Sequence, residues 1–192
     1  MEINKLLEKY KLIKTFETEL NVDKELFVNE FKQMTEKGYY PPILRIFDIF
    51  IPKSKKYVGD ITESNLKIRK KYNFLNFSKL NTSKVKSEFH TENNKLKVKT
   101  TIQGMKIIPF ILRVIILLIY ILTMLLLVLE ILIPPIQTDI DISYILPPLL
   151  VTFFVYLLTY LPYRIAKKNI IKMKNNIEII YETIEKTPYN NA

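Results

Sequence analysis

Between Ile107 and Tyr163 only four residues carry charge: Arg113, Glu130, Asp139 and Asp141. A helix rises about 1.5 Å per residue and the hydrocarbon core of a bilayer is about 30 Å thick, so about 20 apolar residues cross it. Two runs meet that requirement, residues 107–133 and residues 145–164, with a short loop over 134–144 between them. A buried pair of soluble helices this apolar would need a far larger protein around it than 192 residues. The block therefore predicts a two-helix transmembrane hairpin. Neither run contains Gly or Ala, which excludes a close GxxxG-type crossing.

Charge gives the hairpin a direction. The formal net charge of the chain is +10, and residues 53–106 alone carry 14 basic and 4 acidic side chains. Lys95, Lys97, Lys99 and Lys106 precede the first run, and Arg164, Lys167, Lys168, Lys172 and Lys174 follow the second. The loop between the runs holds Asp139 and Asp141 and no Lys or Arg. Lys and Arg accumulate on the cytoplasmic side, so both termini are expected in the cytoplasm of a bacterial cell, with the spans in its inner membrane. The start, "MEINKLLEKYKLIKTF", lacks the apolar centre of a secretory signal.

Arg113 and Glu130 lie about 25 Å apart along a helix axis, close to the core thickness, and read best as markers of the inner and outer interfaces. The competing reading makes Glu130 an intramembrane proton or cation ligand. Arg113, Tyr120, Thr123 and Glu130 fall within an arc of roughly 100°. In the second run Thr152, Tyr156, Thr159, Tyr160 and Tyr163 fall within a similar arc. One polar face per helix follows, the two meeting across the hairpin or between subunits, with Tyr160 and Tyr163 doubling as interfacial belt residues.

Residues 1–105 are expected to form a cytoplasmic α+β domain. "NLKIRKKY" and "NKLKVKTTI" alternate apolar and basic residues with period two, the mark of half-buried strands. "KYVGDI" and "TSKVKSEFH" fit two more, giving a small antiparallel meander over about 56–104 with one apolar and one basic face. Ile13–Leu20 is a further candidate strand. A helix from Asn21 or Asp23 to Lys37, stopped by Gly38, presents Phe27, Phe31 and Met34 as a cover for the apolar face. "YYPPILRIFDIFIP" reads as a buried or interfacial segment.

After the hairpin, Tyr163, Ala166, Ile170, Met173, Ile177, Ile180 and Ile184 recur at spacings of three and four, a heptad seam on an amphipathic helix over 165–186. The seam needs a partner, either the cytoplasmic domain or another subunit. Residues 187–192 read as a loose tail.

Chemistry-bearing patterns are sparse. The chain has no Cys, one His (His90), no phosphate-binding glycine loop, no G-x-S-x-G and no metal-spaced cluster. Asp60 and Glu63 fall in or beside a turn, where acidic residues are common without chemistry. Asn76 and Asn81 match the glycosylation pattern but face the cytoplasm in this topology. No enzyme, cofactor, metal site or small-molecule substrate is expected. The surface with physical content is the basic sheet face: Lys67, Arg69, Lys71, Lys95, Lys97 and Lys99. Each such residue gains about 1 kcal/mol near an anionic leaflet, so the face is expected to contact lipid headgroups, unless it only keeps the sheet soluble. Nucleic acid is not an expected partner of a membrane-anchored domain.

"KYVGDITESNLKIRKKYNF" and "LKVKTTIQGMKIIPFILR", followed by two spans, resemble a group of small bacterial two-span membrane proteins with a β-rich cytoplasmic domain. Tyr57, Gly59, Ile61, Leu66, Ile68, Arg69, Ile102 and Gly104 carry the resemblance, over about 55–120. The combination of sheet and spans is also similar to membrane-anchored PH-like modules of the YcxB-like kind. Neither resemblance implies an activity or assigns a functional residue. The expected role is a non-enzymatic membrane protein whose basic domain contacts proteins or anionic lipid, with a second copy or another membrane protein as further partner. The alternatives are a membrane-active or immunity-type component of a bacterial defence system, and a small channel or transporter subunit using Glu130 and the Thr/Tyr faces.

Overall fold

A computed structural model describes residues 3–38, 48, 50–52, 54–71, 83–132 and 142–186. The chain is α+β and divides into two compact units, residues 1–105 with 166–192, and residues 106–165.

The first unit is a six-stranded mixed sheet with two helices against one face. Helix α1 (Ile3–Lys9) leads into β1 (Ile13–Leu20), followed by α2 (Lys24–Met34), β2 (Thr35–Lys37), β3 (Tyr57–Ile61), β4 (Asn65–Lys70), β5 (Lys84–Glu92) and β6 (Lys95–Gln103). The strand order is β1-β6-β5-β4-β3-β2, antiparallel throughout except for the parallel pair β2/β3. The expected four-strand meander is therefore the middle of a larger sheet.

Local chemistry explains the turns. Asn93 and Asn94 both take positive φ, 53° and 58°, as a two-residue hairpin turn of matching twist requires. At the β3–β4 turn, the Asn65 amide donates to Thr62 Oγ1 at 3.1 Å and Thr62 N–H donates to Asn65 O at 2.8 Å. Asp23 caps α2 by accepting from Glu25 N–H at 3.0 Å. The helix was expected to reach Lys37 and instead ends at Met34. Lys55 Nζ donates to the carbonyls of Lys32 and Gln33, and Lys56 N–H donates to Met34 O. With the last carbonyls satisfied, Thr35–Lys37 is free to pair with Tyr57–Gly59.

At Gly59 the neighbouring strand comes so close that a Cβ would overlap the backbone carbonyl of Lys67. Gly59→Ala should destabilise this unit by about 1–3 kcal/mol, the usual cost of overpacking. An unchanged thermal midpoint in detergent would refute the close approach.

The core lies on the inner sheet face. Leu66, Ile68, Val85, Phe89, Leu96, Val98 and Ile102 meet Phe27, Val28 and Phe31 of α2. A second helix completes it: the C-terminal α5 (Leu161–Lys186) buries Ala166, Ile170, Met173, Ile177, Tyr181 and Ile184. The heptad seam thus packs on the sheet, with Tyr181 at its centre and Ile180 only partly buried. Tyr181 lies against Phe27 and Phe31, with ring centroids 5.7 and 6.1 Å away. Its hydroxyl shares a buried cluster with Thr100 Oγ1 at 2.7 Å and Ser87 Oγ at 3.2 Å, which satisfies all three hydroxyls. Gly104 makes room for α5: a Cβ there would meet the Ile170 side chain at 2.7 Å.

The second unit is a helical hairpin of α3 (Ile107–Leu132) and α4 (Ile142–Val155), the latter continuing through a π-helical turn over Tyr156–Tyr160 into the start of α5. Helix α5 runs through residue 164. Both α3 and the helical stretch Leu146–Lys186 are long and apolar enough to cross a membrane. The loop expected over 134–144 lies outside the described residues but for its last three, which begin α4. "YYPPILRIFDIFIP" up to Phe47, together with Ile49, the asparagines Asn76 and Asn81, and the tail 187–192 also lie outside them.

Candidate functional site

The outer sheet face collects the charged residues, because the same alternation that buries Leu96, Val98 and Ile102 turns Lys95, Lys97 and Lys99 the other way. At the β1 edge these lysines face carboxylates across the strands. Glu17 stands opposite Lys99 and Glu19 opposite Lys97. Lys99 Nζ lies 3.0 Å from Glu17 Oε1, and Lys97 Nζ lies 2.9 Å from Glu92 Oε2 and 3.6 Å from Glu19 Oε1. The Lys97 hydrogen bond holds the Glu92 carboxyl below the usual range, and Glu92 in turn raises Lys97. Lys86 similarly lowers Glu88. These groups reach solvent, so water and salt screen the pairs and they add little to stability. They do neutralise this half of the face locally.

The other half differs from the expected patch. Arg69 is not on a solvent face: it is 8% exposed and forms a two-pronged pair with Asp48, itself 1% exposed, with Arg69 Nη2 to Asp48 Oδ1 at 2.8 Å. Lys71 donates to the backbone carbonyls of Ile51 and Pro52. Both cations are therefore engaged with the 48–52 segment. Lys67 and Lys95 remain exposed.

Two cations absent from the expected patch take their place. Lys86 pairs in register with Lys67, and Lys84 with Arg69. These residues line a cleft of about 360 Å³, whose walls include Ile13, Val58, Asp60 and Thr101, with Glu8 of α1. The alternation in "KVKSEF", which predicts β5, already turns Lys84 and Lys86 to the same side as Lys67.

In the hairpin unit the polar residues are used internally. Tyr120 Oη lies 2.9 Å from Thr152 Oγ1, linking α3 to α4. Thr152 Oγ1 also lies 2.7 Å from Pro148 O, and Thr123 and Thr159 donate to carbonyls of their own preceding turns. In the π-helical turn Leu161 N–H reaches back to Tyr156 O, and the rings of Tyr156 and Tyr160 stack 5.3 Å apart. Arg113 Nε donates to Leu158 O in that turn at 3.2 Å, and Arg113 Nη1 to Pro109 O at 2.8 Å. Arg113, Tyr120, Thr152 and the π turn thus form one seam. The side chain of Glu130 lies outside the described residues.

His90 is exposed on β5, 3.8 Å from Glu92. Among the described residues no group of three or more acidic or His side chains is arranged to hold a metal ion. No family model, curated protein or solved structure matches the chain.

Proposed function

We propose that this chain is a non-enzymatic integral membrane protein whose hairpin crosses a bacterial inner membrane and whose α+β unit makes contacts with anionic lipid or with proteins in the cytoplasm. One observation carries the membrane reading. The hairpin leaves its large apolar side chains exposed, with Leu118 at 60%, Leu122 at 58% and Leu158 at 58%, while its hydroxyls and Arg113 bond within the hairpin. Water would penalise such a surface at about 25 cal/mol per Å², whereas lipid favours it and demands internally satisfied polar groups. The Lys/Arg bias of the flanking segments supports cytoplasmic termini. The bonded seam favours a role in holding the two helices together over an ion path.

The chain lacks Cys, so single cysteines report topology without background. In intact cells a membrane-impermeant maleimide should label Asp139→Cys but label Lys95→Cys only after lysis. Equal labelling of both before lysis, or release of the chain by alkaline carbonate, would overturn this reading.

A further inference from the structure

We propose that the cleft over β4 and β5 binds a phosphate monoester carried on an apolar body. The inference rests on the α+β unit being the part that makes contacts, but does not need the hairpin to cross a bilayer.

The argument begins with register. Residues directly opposite on antiparallel strands have Cβ atoms about 4.5–5.5 Å apart, and like charges there repel. Lys67 faces Lys86, and Arg69 faces Lys84, on adjacent rungs of the same strand pair. At the β1 edge of this face lysines stand opposite carboxylates, Lys99 facing Glu17 and Lys97 facing Glu19. Here Lys67 and Lys86 face each other instead, an arrangement that an anion between them stabilises.

The carboxylates nearby equal these four cations in number, but among the described residues none of them forms an ion pair with Lys67. Asp48 is committed to Arg69, and Glu88 takes Lys86 from along its own strand at 2.5 Å. Asp60 faces Lys67 in register, yet among the described residues the two form no ion pair. Glu8 also lines the cleft. Lys67 and Lys86 are exposed, so each can swing its ammonium onto a shared oxygen anion. A doubly charged phosphate matches two facing ammoniums better than a single carboxylate does.

The rest of the cleft selects for carbon. Ile13 and Val58 are buried in its wall, and the lysine methylenes extend that surface. A volume of about 360 Å³ suits a small ring or short chain attached to the phosphate. The same chemistry is offered by a soluble phosphomonoester and by the headgroup of phosphatidic acid.

The test uses the full chain. Phenyl phosphate should bind saturably to the protein in neutral detergent by titration calorimetry. Lys67→Gln with Lys86→Gln should weaken it by about 10-fold or more, two charge-assisted hydrogen bonds being lost. Lys67→Arg with Lys86→Arg should stay within about threefold of the parent, and Lys95→Gln, on the same face outside the cleft, within about twofold. In nanodiscs, phosphatidic acid should raise the thermal midpoint over phosphatidylcholine if the lipid is the source, and the Gln pair should remove that gain; phenyl phosphate binding without any such gain assigns a soluble source. No saturable heat with phenyl phosphate overturns the proposal. So does a Gln pair that binds like the parent, or a loss equal to that of Lys95→Gln. Should the Gln pair fail to fold, Lys67→Gln alone must weaken binding by at least about threefold. The cysteine-labelling result is independent of every one of these outcomes, so the two readings fail separately.

Discussion

Tyr181→Ala should cost about 3–5 kcal/mol, the range for deleting a fully buried aromatic side chain. Tyr181 is 1% exposed and touches both the covering helix α2, through its ring pair, and the sheet, through Ser87 and Thr100. Hydrogen exchange of the full chain in detergent should show the β5 and β6 amides losing protection together, while the hairpin amides keep theirs. If the hairpin amides change as much as the sheet amides, Tyr181 does not anchor the sheet core. Tyr181→Phe is milder, about 1 kcal/mol, because Ser87 and Thr100 remain 3.0 Å apart and bonded to each other. This variant also has a pH signature. Burial raises the Tyr181 phenol above its ordinary value. The folded chain then keeps a proton that the unfolded chain loses above a pH of about 10, so stability is full below that pH and falls as pH rises beyond it. In Tyr181→Phe the alkaline fall should be shallower, though not absent, since burial raises Tyr57 too.

Asp48→Ala should cost about 3–5 kcal/mol, for it strands a buried guanidinium without its carboxylate. Asp48→Leu combined with Arg69→Met should recover most of that loss, because an apolar pair of similar volume has no desolvation to repay. A thermal melt of the parent, both single variants and the pair in detergent closes the cycle. If the pair is as unstable as the sum of the singles, the two side chains do not interact.

The two halves of the basic face show what a linear pattern can and cannot reveal. Alternation assigns Lys67, Arg69, Lys84, Lys86, Lys95, Lys97 and Lys99 to one side of the sheet, and that parity is legible from residue types alone. Whether a cation on that side meets water is decided by what crosses over it. Arg69 is covered because Asp48, 21 residues earlier, reaches it. Periodicity holds no information on such a contact. Lys84 and Lys86 were within reach of the same pattern and belong with Lys67. Strand β2 is three residues long, too short to carry a period, and it exists because the free edge of β3 offers a ladder where α2 stops. The seam of α5 was readable in its spacing of three and four, but the choice of Tyr181 over Ile180 was not. It depends on the two hydroxyls waiting in β5 and β6. In the hairpin, the link between Tyr120 and Thr152 joins two residues of the expected polar faces; the π turn that carries the carbonyl met by Arg113 has no sequence signature.

The helix α5 begins in the hairpin unit and ends in the core of the sheet unit. During synthesis the six strands and α2 therefore leave the ribosome before the segment that completes their core. Until residues 166–184 emerge, the inner sheet face has only α2 to cover it, and Val98, Ile102 and Ser87 stand open. Those residues follow both apolar runs, so completion of the sheet waits for the hairpin to be made. A chain that stalls or is cut before α5 is left with an apolar sheet face only half covered.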